Sequence, residues 1–371
     1  MLSRGSTRAR GYAAARMAPV TEWIDDPARF AAIREEWDRL AALDPSPFSL
    51  HAWYAAWWTA FGGGTFQACV VRDGGELVGG LPLLRRGGGL EAMANEHSPS
   101  FRPLARDDAA RGALVAAVLA EGVPVELVGL PLDEAVPTAL VKGVEAGGAR
   151  VLSETDYVSP IASTTGSFED YRSALKSGWT ETERRGRKMA REHQVEQRLV
   201  EPPADLEAEL EEGLALEASG WKGREGTAIL ADQTTAGFYR DIARTFHERG
   251  ELRFSALRVD GRLVGFDLAL LHRNRYYLLK TAFDEDMRKL GPGLVLRRAV
   301  VERCFEIGLD AHEFLGPDMD WKRLFSTGDR PHARVRAYPP GLGGTARYAY
   351  RAQLRPRLKA AYRRLRPAPG R

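Results

Sequence analysis

The chain has 371 residues, 44% of them hydrophobic and 28% charged, enough apolar material for a large core in an ordinary globular protein. That balance excludes a disordered or low-complexity chain, and no apolar run reaches the length of a membrane-spanning helix. Two cysteines, Cys69 and Cys304, give neither a metal spacing nor a disulfide framework, as expected of a cytoplasmic protein without a bound metal. The net charge of +3 is uneven. Residues 341–371 carry nine Lys/Arg and residues 1–16 four Arg, with no acid in either, leaving 40 basic against 50 acidic residues between them.

The Arg-rich start lacks an apolar h-region, so residues 1–20 read as an extension outside the fold or as an over-called start before Met17. Asp25-Asp26-Pro27 then opens an amphipathic helix, Pro27–Leu43, with Phe30, Ile33, Trp37 and Leu40 at helical spacing. Phe48–Phe61 is a second, strongly aromatic helix whose Trp53, Trp57 and Phe61 share a face, as a core stripe or as an apolar wall for an acyl group. Phe66–Arg72 and Glu76–Arg86 form a hairpin about Asp73-Gly74-Gly75. A helix at Asp108–Glu121, a strand at Val125–Val128, a helix at Asp133–Ala146 and a strand at Arg150–Ser153 follow, an α/β alternation. Leu90–Leu104 is an irregular loop whose cluster Asn95-Glu96-His97-Ser98 suits a cleft lining, with His97 a substrate-binding candidate.

The second half repeats the plan. Helices fall at Ser167–Leu175, Thr180–His193, Leu206–Ser219 and Thr234–Gly250, with a short strand at Val195–Val200. A hairpin, Leu252–Val259 and Arg262–His272, turns about Asp260-Gly261, and Arg275–Ala282 is the next strand. A strand near Ala311–Leu315, a helical turn at Asp320–Phe325 and a strand at His332–Tyr338 close the body. Leu-Val-Gly recurs in the two hairpins, at Leu77 and at Leu263, 186 residues apart, as two copies of one domain would give.

Between the strand at 275–282 and the helical run Leu294–Ile307 lies Arg288-Lys289-Leu290-Gly291-Pro292-Gly293. Pro292 suits the first helical position and Gly291 the N-cap. The amides of Gly293, Leu294 and Val295 then face out of the positive end of a helix, where phosphate oxygens bind, with Arg288 adding charge. The first half has no such loop after its hairpin.

The spacing Arg-x-x-Gly-x-Gly resembles the acyl-CoA pyrophosphate loop of the GNAT acyltransferases. With Arg184–Arg191, Glu217–Gly223, Ala282-Phe283-Asp284 and Asp320-Trp321-Lys322, the chain resembles the CelD/BcsL-type, cellulose-biosynthesis-associated GNAT acetyltransferases, related in architecture to the Fem-type aminoacyl ligases. The resemblance implies two tandem GNAT-like domains, 21–160 and 161–340, with a basic tail at 341–371. It implies acetyl-CoA or another acyl-CoA as co-substrate, held by Arg288, Leu290, Gly291, Gly293, Leu294 and Val295. The reaction would be direct acyl transfer to an amine or hydroxyl of a small molecule or glycan precursor.

Such chemistry needs a group to deprotonate the acceptor. Asp267, an acid amid apolar strand residues, is the first candidate base because a carboxylate there is expensive unless paired or functional. Lys322 resembles a substrate-phosphate lysine of the Fem-type ligases, and Lys222 and Trp221 are substrate-binding candidates. Two other readings remain: a Fem-like ligase using aminoacyl-tRNA, and a non-catalytic binding module in polysaccharide synthesis or export. The tail Ala346–Arg366 places Tyr348, Leu354, Leu358, Tyr362 and Leu365 among arginines, a pattern for peripheral contact with an anionic membrane or RNA.

Overall fold

The computed structural model describes residues 18–355, so both basic ends fall largely outside the described residues. The first half runs β1 (Val20–Ile24), α1 (Pro27–Ala32), α2 (Arg34–Ala41), α3 (His51–Phe61), β2 (Thr65–Asp73), β3 (Glu76–Arg86), β4 (Gly89–Ala92), β5 (Leu104–Ala105), α4 (Asp108–Ala120), β6 (Val125–Pro131), α5 (Ala135–Ala146) and β7 (Arg150–Ser163). Next come α6 (Phe168–Ala174), α7 (Lys176–Glu192), β8 (Val195–Arg198), α8 (Leu206–Ser219), α9 (Trp221–Arg224) and α10 (Gln233–Glu248). Last are β9 (Leu252–Val259), β10 (Arg262–His272), β11 (Arg275–Phe283), α11 (Pro292–Glu306), β12 (Ala311–Glu313), α12 (Asp320–Arg323), β13 (Gly328–Tyr338) and α13 (Leu342–Ala349).

The strands join one mixed sheet in the order β1-β2-β3-β4-β6-β13-β7-β12-β11-β10-β9-β8, with β5 beside β3. The internal repeat is visible in its pairing. Hairpins β2–β3 and β9–β10 turn through two residues of positive φ, Gly74-Gly75 and Asp260-Gly261, which match the twist of the flanking strands. Each hairpin is followed by an antiparallel strand, a helical crossover and a parallel strand: β4, α4, β6 in one copy and β11, α11, β12 in the other.

The last strands are exchanged. β7 bonds to β12 of the second half, and β13 returns to bond β6 and β7. Residues 328–338 thus lie in the sheet between strands of the first half, although the sequence assigns them to a contiguous 161–340 unit. The strand expected to end at Ser153 runs to Ser163. Its polar stretch Ser153–Asp156 hides it from periodicity, and its partners lie far along the chain. Ile33 breaks the expected Pro27–Leu43 helix into α1 and α2. Trp53 and Trp57 are core, not an acyl wall: Trp53 meets Phe238 of α10 edge to face at 5.5 Å, tying the halves together.

Candidate active site

The site forms where β11 leaves its neighbours. β11 pairs in parallel with β12 only over Arg275–Tyr277, so beyond Tyr277 that edge has no partner strand among the described residues. On its other edge the register to β10 shifts between Leu268↔Lys280 and Ala269↔Leu278, leaving Leu279 as the extra residue of a bulge. A bulge re-aims side chains and frees backbone groups beside a cleft.

A cavity of about 430 Å³ lies at the end of β11, against the glycine loop. Gly291, the N-cap of α11, has φ 63°, and a Cβ there would lie 2.8 Å from the Arg185 guanidinium. A Cβ on Gly293 would lie 2.9 Å from the Phe283 ring. The amides of Leu294 and Val295 donate to the Gly291 carbonyl at 3.0 Å, leaving the Gly293 N–H without a backbone acceptor among the described residues. The expected set therefore contracts. Leu290 and Val295 are buried in the core under α11, whereas Arg288, Gly291, Gly293 and Leu294 line the cavity. Arg185, seen in the sequence only as part of a charged helix face, joins Arg288 there, steadied by Glu181 at 2.8 Å. Two guanidinium groups, one amide and a helix N-terminus fit a phosphate group. Phe283, Leu294, Met319 and Trp221 supply an apolar wall.

A second chamber of about 800 Å³ continues from the first, sharing Lys222, Thr281, Met319 and Trp321 with it. It is walled by Leu278–Thr281 of β11, by the β12–α12 loop and by Glu96 and His97 of the first half. Lys280 faces it with no hydrogen bond or ion pair among the described residues, its Nζ 4.8 Å from the Tyr239 ring centroid. The Tyr239 hydroxyl is 3.3 Å from His97 Nδ1, and His97 stacks on Phe61. Burial holds the Lys280 amine below the ordinary lysine range, with the carboxylates of Glu217 and Glu96 opposing it. Burial, and then Lys280, lower His97 as well.

Several expected residues do other work. Asp267 is fully buried and lines neither chamber. Its Oδ1 accepts from Arg297 Nη2 at 2.5 Å, so the acid is paired rather than free to act as a base. Lys322 faces the large chamber, but its Nζ donates to the Leu315 and Pro317 carbonyls at 2.5 and 2.7 Å. It clamps a loop in which Leu315 and Gly316 have positive φ. Burial pushes its amine down to about 8. Lys222 pairs with Glu217 at 2.6 Å, and Glu217 also accepts from the Ile229 amide. Trp221 is half exposed on the smaller chamber.

Residues 178–323, from α7 to α12, match the family model described as acetyltransferase (GNAT) domain. The segment holds the glycine loop, the bulge and Lys280. Similarity of fold to solved structures extends over a larger part of the chain. FemX superposes with a TM-score of 0.57 over 88% of this chain and 98% of its own, at 13% identity. The C-terminal domain of an Agrobacterium fabrum protein described as a lysylphosphatidylglycerol synthetase gives 0.53 over 85% and 94%, at 12% identity. A Bacteroides thetaiotaomicron protein of unknown function gives 0.53 over 86% and 99%, at 12% identity. No curated protein matches the sequence. Among the described residues no cluster of metal-ligating side chains occurs, and no helix is long and apolar enough to cross a membrane.

Proposed function

We propose that the protein is an acyl-CoA-dependent N- or O-acyltransferase, with acetyl-CoA the simplest donor. The observation that carries this reading is the pair of connected chambers meeting along the unpartnered edge of β11. One end is built for phosphate and the other for a polar acceptor. Arg185, Arg288 and the Gly293 amide would hold the phosphates of acyl-CoA, and the wall of Phe283, Leu294 and Met319 its chain. Bound there, acyl-CoA would supply an activated carbonyl. Main-chain groups at the Leu279 bulge, whose neighbours Leu278 and Lys280 line the large chamber with it, would donate to that carbonyl.

On the acceptor side Lys280 replaces Asp267 as the residue that takes a proton. Among the described residues it is the chamber amine without a hydrogen bond or ion pair, and burial lowers the cost of its losing a proton. The acceptor class that suits the chamber is an amine- or hydroxyl-bearing small molecule or glycan precursor, consistent with the CelD/BcsL resemblance and a role in polysaccharide synthesis in the cytoplasm. The FemX-like fold supports aminoacyl-tRNA donation as the competing reading, and the arginine-flanked phosphate site weighs against it. Calorimetric titration with acetyl-CoA separates them. Micromolar binding, about −8 kcal/mol, that is lost in Arg185→Ala/Arg288→Ala supports the acyl-CoA reading. No binding to the wild type refutes it.

A further inference from the structure

α13 and its π-helical continuation, Tyr350–Leu354, carry two ridges at four-residue spacing. Leu342, Ala346, Tyr350 and Leu354 form an apolar ridge in which every residue is exposed, Leu342 at 92%. Arg347, Arg351 and Arg355 run one residue on, beside it. Residues four apart stack along one helix face, so the two ridges are parallel stripes. Tyr348, which the sequence groups with the outward-facing residues, instead packs on Tyr338 at 6.0 Å and beneath Arg150. That contact fixes the helix on β7 and β13 with its ridges outward. Beyond the described residues the sequence keeps both spacings, with Leu358 and Tyr362 in one series and Lys359 and Arg363 in the other.

A second observation concerns place. A groove of about 540 Å³ beside this helix is lined by Arg347, Tyr350 and Arg351, and also by Glu91 and Glu126. The same two glutamates line the large chamber, so the groove beside the helix and that chamber share a wall of the sheet.

We propose that the two ridges of α13 and its continuation to Arg355 dock the protein on an anionic bilayer, bringing the Glu91–Glu126 wall of the large chamber near the lipid head groups. A bilayer interface satisfies both stripes at once. Leucine and tyrosine side chains enter the acyl boundary, and the arginines meet anionic head groups. A nucleic acid would engage the arginines but leave Leu342 and Leu354 in water. The docking does not rest on the acyl-transfer reading.

The test uses the full-length protein and vesicles of phosphatidylcholine, with and without phosphatidylglycerol. Sedimentation with the anionic vesicles, weakened by salt, is expected, with little binding to phosphatidylcholine alone. Leu342→Asp/Leu354→Asp should lose at least tenfold in affinity, and Arg347→Gln or Arg351→Gln about fivefold each, near 1 kcal/mol per charge. These positions are exposed or half-exposed, so circular dichroism and acetyl-CoA calorimetry should match the wild type and separate lost docking from lost folding. An environment-sensitive fluorophore at Glu91→Cys should shift to the blue on vesicle binding, and one at Glu196→Cys, on β8 at the far edge of the sheet, should not. Both native cysteines are buried and stay unlabelled. Equal binding to neutral and anionic vesicles, unchanged binding by the variants, or displacement from vesicles by tRNA overturns the docking. A silent probe at position 91 on bound protein overturns the orientation.

Discussion

Replacing Asp267 with alanine removes the carboxylate that neutralises Arg297, a buried arginine beneath the smaller chamber. Asp267 and Arg297 are 0% and 1% exposed. Without the carboxylate, Arg297 keeps His312 Nε2 at 2.8 Å and the Trp321 ring at 5.6 Å. Neither restores the balance, since burial and Arg297 itself hold His312 well below the usual histidine range and keep it neutral. An uncompensated buried charge costs about 3–5 kcal/mol, against a total stability of roughly 5–15 kcal/mol for a typical protein. Asp267→Ala should therefore lower the urea midpoint steeply. Asp267→Ala/Arg297→Leu, which removes both charges, should regain most of the loss, giving a coupling energy of about 2–3 kcal/mol in the double-mutant cycle. Urea unfolding followed by circular dichroism at neutral pH measures all three. A single variant costing less than about 1 kcal/mol, or a double variant no better than the single, would refute the pairing argument and return Asp267 to the list of bases.

Lys280→Met and Lys280→Arg should both lose about 10²–10⁴ in turnover, read as thiol release from acetyl-CoA with hydroxylamine as acceptor, because a guanidinium cannot give up its proton. In the wild type that rate should rise with pH to a plateau below the ordinary lysine range; an active arginine variant would exclude the proton-accepting role. Gly291→Val forces a β-branched residue to φ 63° against Arg185, so it should cost about 1–3 kcal/mol by urea unfolding and at least tenfold in acetyl-CoA affinity by calorimetry. The Lys322 amine has its folded value near 8, below that of an unfolded lysine near 10.4. Between those values the unfolded chain holds more protons, so stability should rise with pH across that window and flatten above it, and Lys322→Met should abolish the rise.

The parts legible in the sequence are those decided by neighbours along the chain. Gly291-Pro292-Gly293 specifies a turn into a helix by backbone chemistry alone, and the Asp-Gly hairpins specify themselves in the same way. Leu206–Ser219, Leu252–Val259 and Arg262–His272 fall where their patterns place them. What was hidden depends on partners brought in by the fold. Asp267 is an expensive acid, but its neutraliser sits thirty residues on, inside α11. The available signal was Arg297 itself, an arginine on a helix otherwise packed with Val295, Leu296, Val300 and Val301. Lys280 left a comparable trace as a lysine closing the run Tyr276-Tyr277-Leu278-Leu279. Arg185 left none, because one arginine in a basic helix resembles the next until Gly291 passes beneath it.

The exchange of β7 and β13 ties the fate of the two halves together. A fragment ending at Ser163 would leave β6 and β7 without β13, presenting open strand edges of 7 and 14 residues that invite self-association. A fragment beginning after it would leave β12 without its antiparallel neighbour. The half that matches the family model is therefore not a module that recombination could shed or graft onto another chain. A change in what the large chamber admits would have to arise in place, through loops such as Met93–Pro103, whose residues 94–99 the first half contributes to its lining.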